Sequence, residues 1–263
     1  MTSPAVTEVQ QIREARAAGD VPLWTHPEWL QRFPWLLQGT TGRGDEEEPF
    51  DLGLFRGQNV RVAHDRWREL LVFSGGQTAV HARQAHGIDL LVHERPYPRG
   101  LFVGERVDAH VTRVPGLVVT VAAADCVPVF IVDPVHRAVA VAHSGWRGTA
   151  AGMTERVVET MVMRMGSDPA ALHLHAGPAI CGECYEVSPD VHRAVSPEEP
   201  IPAGPAPVDL RAAIQRRAVA AGVPAEQVTA SSCCTRCGPP DFFSHRAGST
   251  GRQVGLVMIR EAA

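Results

Sequence analysis

From Leu70 onward the chain reads as short apolar runs at 70–73, 88–92, 117–123, 127–132 and 138–142, separated by Gly, Pro and Asp. Runs this short, rich in Val and Ile and bounded by turn formers, predict strands. The period then changes. Between Thr149 and Gly166, Met153, Val157, Val158, Met161, Val162 and Met165 recur at the spacing of one helix face. The methionines there read as core packing. A strand over 172–176 follows, and then a helix that Ser188 can cap with Pro189 in its first turn. After the proline-rich stretch 198–210 come a helix over 209–221 and a last strand over 253–259. Residues 1–22 read as a polar helical extension, 23–263 as the main domain, and "DEEEP" at 45–49 as a solvated acidic loop. Strands with helices placed irregularly among them, without repeat or linker, predict an α+β fold. This is a single mixed α/β domain with sheets built from short strands and interspersed helices.

The runs at 127–132 and 138–142 predict a hairpin. A four-residue loop Asp133–His136 would pair Val132 with Arg137 and place Cys126 directly across from His143. Opposed residues share a face with Cβ atoms about 5 Å apart, close enough for one metal ion to bind both. A slip of one residue would separate them. An inert buried thiol and a turn-capping histidine are the plain alternatives, and spacing leaves both open.

Composition narrows the chemistry. All 25 basic residues are Arg, and Asn59 is the single asparagine. A lysine nucleophile, a Schiff base and a Walker-type phosphate loop are excluded. The net charge of −4, with no basic block, argues against a nucleic-acid polymer as partner. No apolar stretch reaches the ~18 residues of a membrane span. The polar start shows no secretory h-region, so a cytoplasmic location is expected. Six cysteines in such a protein suggest metal binding or catalysis before disulfides.

"RQAHG" (83–87), "AADCVPVFIVDP", "AVAHSGWRGTAAG", "GPAICGECYEV" and "CTRCGPPDFFSHRAGSTGRQVGL" occur in that order. Together they resemble the YfiH-type laccase-domain family, with similarity from about Trp24 to Ile259. Its members are described as zinc-dependent purine nucleoside phosphorylases, a group formerly known as polyphenol oxidases. The resemblance implies one zinc per chain on His86, Cys126 and His143, the set also expected to carry catalysis. It implies purine nucleoside and phosphate as substrates, with adenosine, inosine or methylthioadenosine cleaved. Attack of an activated water on C6 of adenine would add adenosine deamination. Asp125 is a candidate for proton transfer or for fixing a histidine tautomer. Arg147 is a candidate for phosphate binding, or a guanidinium packed on Trp146. Where the family carries an arginine in its Thr-Thr-Arg stretch, this chain has Gly42, and Arg43, one place later, is the matching candidate for substrate binding.

Two further pairs, Cys181/Cys184 and Cys234/Cys237, each suit half of a four-cysteine zinc site. The 49 residues between them exceed a compact ribbon, and ordinary thiols are the expectation. A multicopper oxidase needs many more paired histidines than His173 and His175. Oxidation of phenols would rest on a single copper replacing zinc at the His-Cys-His set. A metal-free hydrolase with Cys126 as nucleophile, acting on cell-wall peptide precursors, and a non-catalytic metal-binding module are the competing classes. Oligomeric state is left open.

Overall fold

The computed structural model describes residues 10–45, 47–55 and 59–261. Two seven-stranded mixed sheets carry the fold. In spatial order the first runs Gln10–Ile12, Val228–Ser231, His173–Ala176, Val127–Asp133, Ala138–Ser144, Ala109–Thr112 and Leu90–His93. The second runs Ala15–Arg16, Leu23–Thr25, Leu36–Thr41, Gln253–Ile259, Leu117–Ala123, Thr78–Arg83 and Gly100–Glu105. The mixed α/β fold expected from the strand and helix pattern is the one observed.

Side-chain alternation along the strands sorts the core into layers. Val127, Val129 and Ile131 pack toward helices Met153–Thr160 and Leu210–Ala220. Phe130 and Val132, from the same strand, face Val119, Val121 and Val257 of the other sheet. Leu256 and Met258 on the outer face of the second sheet pack with Trp67 and Leu70 of helix Val60–Ser74. Strands buried on both faces read as continuous apolar runs, which is why 117–123, 127–133 and 253–259 are the most legible in the sequence. Met153, Met161 and Met165 are buried in the core as expected. Asp209 caps Leu210–Ala220 by accepting from the Arg211 and Ala212 amides at 2.9 and 3.2 Å. Ser188 holds the corresponding place before Pro189–Val195 but makes no side-chain cap bond.

Three expectations are corrected. The run 70–73 ends helix Val60–Ser74 and is not a strand. Ala63, Trp67, Leu70 and Ser74 form its buried face, and a four-residue apolar run cannot show a period of 3.6. Among the described residues of the 1–22 extension there is no helix: Gln10–Ile12 pairs parallel with Val228–Ser231, and Ala15–Arg16 pairs with Leu23–Thr25. Residues 1–9 lie outside the described residues. Open sheet edges recruit this segment as strand, overriding its local preference. The hairpin register also differs. Asp133 pairs with Ala138 and Pro128 with His143, so the loop is Pro134–Arg137. Asp133 accepts from the Val135 and His136 amides at 2.8 and 3.0 Å, and Arg137 closes the loop at φ 48°. The shift is two residues, so side chains keep their faces.

No helix among the described residues is long and apolar enough to cross a membrane. Glu14 lies between the two N-terminal strands and is buried. Its carboxylate pairs with His175 Nε2 at 3.0 Å and accepts from Ser231 Oγ at 2.8 Å. Burial by itself raises this carboxyl, but the bonds and charge of His175, with Ser231, hold it below its ordinary value. The stabilisation is therefore full above the ordinary carboxyl range and is lost as pH falls through the lowered value. Glu14→Ala should cost about 3 kcal/mol at neutral pH, the expectation for breaking a buried pair. The difference from wild type should narrow in acid, as read by urea unfolding at two pH values.

Candidate metal centre

His86, Cys126 and His143 come from three chain segments and meet at one point, their ligand atoms all within 4.8 Å of one another. His143 ends strand Ala138–Ser144 and is buried. Cys126 immediately precedes strand Val127–Asp133 and is half-buried. His86 sits on the exposed turn after strand Thr78–Arg83. Its ring meets that of His143 edge-on, with centroids 4.7 Å apart.

The residue that organises this meeting is Asp108. Its carboxylate accepts from the amides of Ala85, His86 and Gly87 at 3.0, 2.9 and 2.9 Å. The same group takes His143 Nδ1 at 2.9 Å. Holding Nδ1–H leaves Nε2 as the free donor atom of the His143 ring. Asp108 thus sets a tautomer and, through three consecutive amides, the turn that carries His86. Burial would raise its carboxyl, but His143 and those amides hold it below the ordinary value. Asp125, the sequence candidate for fixing a histidine, is committed elsewhere: it accepts from Thr235 Oγ1 at 2.6 Å and from the Arg246 amide at 2.7 Å. Nothing in local sequence marks Asp108, because its role arises from pairing of Ala109 with Ala142 in the adjacent strands.

The backbone is held in unusual conformations on both sides of the cluster. His86 has φ 60° and Asp125 φ 86°, a region that residues other than glycine seldom occupy. Such strain persists only where the surroundings enforce it. At His86 the enforcer is the Asp108 carboxylate, and at Asp125 the Thr235 and Arg246 bonds. Gly145 supplies clearance: a Cβ there would lie 2.8 Å from Cys126 Sγ.

Burial opposes ionisation of Cys126, yet the imidazoles of His143 and His86 outweigh it and draw the thiol down to about 6. Burial likewise opposes protonation of His143, and the Cys126 thiolate with Asp108 pushes that ring up to about 9. Two imidazoles and a thiolate are the donor types zinc takes. At Zn–S of about 2.3 Å and Zn–N of about 2.0 Å, tetrahedral donors stand roughly 3.3–3.8 Å apart, within easy reach of these side chains. The donor set and the space kept by Gly145 both fit a three-ligand ion with one side open.

The three side chains also line a cleft of about 530 Å³, together with Phe55, His81, Arg83, His245 and Arg252. Phe55 and His81 lie nearly parallel, 17° apart with centroids at 6.1 Å. Arg43 and Arg147 are not among the lining residues. Arg147 stacks over Trp146 at 4.3 Å. The Arg43 amide bonds Asp241 O at 2.6 Å. Its neighbour Gly42 has no room for a side chain, since a Cβ would lie 2.2 Å from the Trp24 ring. Phe55 and His81 lie outside the motifs, and Arg252 lies within the last of them without a role that the motif marks.

The two CxxC pairs, read from sequence as ordinary thiols, also converge: Cys181, Cys184, Cys234 and Cys237 place their sulfurs within 4.8 Å of one another. A bridge between Ala179 and Cys234 draws the two loops together across the long sequence gap.

Asp108→Asn should keep the fold and weaken any metal binding at this cluster about 10- to 100-fold, the usual effect of losing a ligand's orienting partner. Competition with a chromogenic chelator measures it. Gly145→Ala should weaken the same site by displacing the sulfur, with no change at the four-cysteine cluster.

Residues 48–260 match the family model described as multi-copper polyphenol oxidoreductase laccase. Adenosine deaminase RL5, from an unknown prokaryotic organism, is 40% identical over 64% of this chain and 69% of its own length. A purine nucleoside phosphorylase of Streptomyces coelicolor is 36% identical over 68% of this chain and 74% of its own. The crystal structure of YlmD from Geobacillus stearothermophilus superposes with a TM-score of 0.84, at 28% identity, over 95% of this chain and 100% of that one. With a match across most of its length and that shared fold, the chain belongs to the YfiH-type family of laccase-domain proteins.

Proposed function

We propose that the protein is a zinc-dependent purine nucleoside phosphorylase acting on adenosine, inosine or methylthioadenosine. The observation that carries this reading is the convergence of His86, Cys126 and His143 in the lining of a cleft. Relatives named purine nucleoside phosphorylase support the reaction class. When bound, the metal supplies a fixed positive charge at an open position, suited to holding an anionic nucleophile.

In phosphorolysis a phosphate oxygen bonds to C1′ of the ribose as the C1′–N9 bond breaks. The bonding pair leaves with the purine, which takes up a proton, and ribose 1-phosphate is the other product. Positive charge gathers on the sugar and negative charge on the base. In this chain Arg83 and Arg252 bring cationic side chains to the cleft for the phosphate, ahead of Arg43 and Arg147, which lie off its lining. The exposed Phe55 ring, stacked on the buried His81 ring, offers a face against which a planar base can stack. Burial brings the His81 ring down to about 4, so it is neutral there and adds no charge against the developing sugar cation. Asp108 holds the cluster in register. Asp125 remains the proposed site of proton transfer, with both oxygens already accepting hydrogen bonds from the wall.

A second activity, deamination of adenosine at the same centre, is favoured by the relative named adenosine deaminase. It would consume water in place of phosphate. The lowered Cys126 thiol supports a distinct alternative, a thiolate nucleophile paired with His143 in a metal-free hydrolase. A copper ion at the same two imidazoles and thiolate would support oxidase chemistry through mismetallation.

Purified protein should release ribose 1-phosphate and free base only when phosphate is present, and ammonia from adenosine without it. Cys126→Ala and His143→Ala should bring both reactions and the bound metal at this centre below detection. Full turnover in either variant would overturn the assignment. Activity that survives chelation but not thiol alkylation would transfer it to the hydrolase.

A further inference from the structure

We propose that Cys181, Cys184, Cys234 and Cys237 hold a second ion, a structural zinc that clips the loop after strand His173–Ala176 to the loop after strand Val228–Ser231. The inference is independent of the nucleoside chemistry, since it rests on a different set of side chains.

The sulfurs are arranged for one ion. All four lie within 4.8 Å of one another, and Cys181 Sγ stands 3.8 Å from Cys237 Sγ. A tetrahedron of thiolates at Zn–S of about 2.3 Å has edges of about 3.8 Å. A disulfide would bring a pair to about 2.0 Å, and all six cysteines are free. A cluster of several irons would spread the sulfurs wider than a single centre does. Soft thiolate donors in a tetrahedral set select zinc among the common divalent ions.

The backbone around the cluster is shaped to support thiolates. Cys234 Sγ accepts from the amides of Cys181, Arg236 and Cys237 at 3.3, 3.4 and 3.4 Å. Three N–H groups aimed at one sulfur offset the negative charge that four thiolates concentrate on a dication. Each pair closes a tight turn, with Cys184 N bonding Cys181 O and Gly238 N bonding Cys234 O, both at 3.1 Å. The second turn admits only glycine after its last cysteine, because a Cβ on Gly238 would lie 2.4 Å from Cys234 O. Arg236 spans the two loops through its guanidinium bond to Cys184 O at 3.1 Å.

Four protein sulfurs leave no open position, the pattern of a structural site. What the clip holds is Asp125, the residue ahead of Cys126. Thr235, inside the second pair, bonds the Asp125 carboxylate, and Ile180, beside Cys181, bonds Asp125 O at 3.1 Å. Asp125, at positive φ, leads directly into Cys126. The ion would thereby position one ligand of the other centre without touching substrate.

The test is metal content by mass spectrometry of the full-length protein, purified under reducing conditions, and of variants. Wild type should carry two zinc ions per chain. Cys237→Ser should carry one; its side chain is exposed, so the change does not disturb the core. Cys181→Ser should also carry one, and Cys126→Ala should carry one by losing the other ion. Cobalt substitution of Cys126→Ala should still show thiolate-to-metal charge-transfer absorption, and Cys237→Ser should lose most of its intensity. A single ion in wild type that Cys126→Ala removes and Cys237→Ser leaves would overturn the inference. So would iron in place of zinc, or an intact mass showing a Cys181–Cys237 disulfide. A single ion lost in Cys237→Ser and retained in Cys126→Ala would uphold this site and sink the His-Cys-His reading instead.

Discussion

The Asp108 carboxylate is the constraint on which the rest of the centre depends. It is a buried anion surrounded by four donors, three consecutive amides and one imidazole. Burying a charge is unfavourable unless every lone pair finds a partner, and here the partners are the His86 turn and the His143 ring of the candidate centre. Satisfying the carboxylate curls the Gln84–Gly87 segment, turns His86 over to positive φ and fixes the proton of His143. The site's geometry is thus the solution to a solvation problem.

The two sheets supply the rigid frame in which that solution is unique. His143 is held in strand pairing with Pro128, and Asp108 adjoins a strand paired to the same element. A slip of one residue in this pairing would carry the His143 side chain to the opposite face of the sheet, away from Cys126. Gly145 completes the frame by omission, keeping the space beside the thiolate clear. Preorganisation of this kind holds the three candidate ligands in place before any ion or substrate arrives.

Legibility in the sequence follows burial. Strands covered on both faces, such as 117–123 and 253–259, appear as unbroken apolar runs and are readable within a residue or two. Edge strands and one-sided elements are not: Gly100–Glu105 is largely exposed, and the N-terminal strands look polar because sheet edges, not a hydrophobic face, hold them. The end of helix Val60–Ser74 reads as a strand because four apolar residues carry no period. The hairpin of Cys126 is legible with its register off by two, since a carboxylate folding back onto its own turn leaves no trace in an apolar pattern.

By itself the sequence determined the chemical inventory: two histidines and a cysteine in motifs resembling one family, two CxxC pairs, no lysine, and alternating mixed elements. These are properties of residue type and local order, and they survive any error of register that preserves faces. Tertiary structure alone decided which groups meet. Asp108 rather than Asp125 bonds the His143 ring, Arg83 and Arg252 rather than Arg43 and Arg147 line the cleft, and four cysteines split between two distant segments share one point. Each depends on contacts between strands far apart in the chain. Those contacts are set by strand pairing within each sheet and by the packing of one sheet on the other, and no local spacing encodes them.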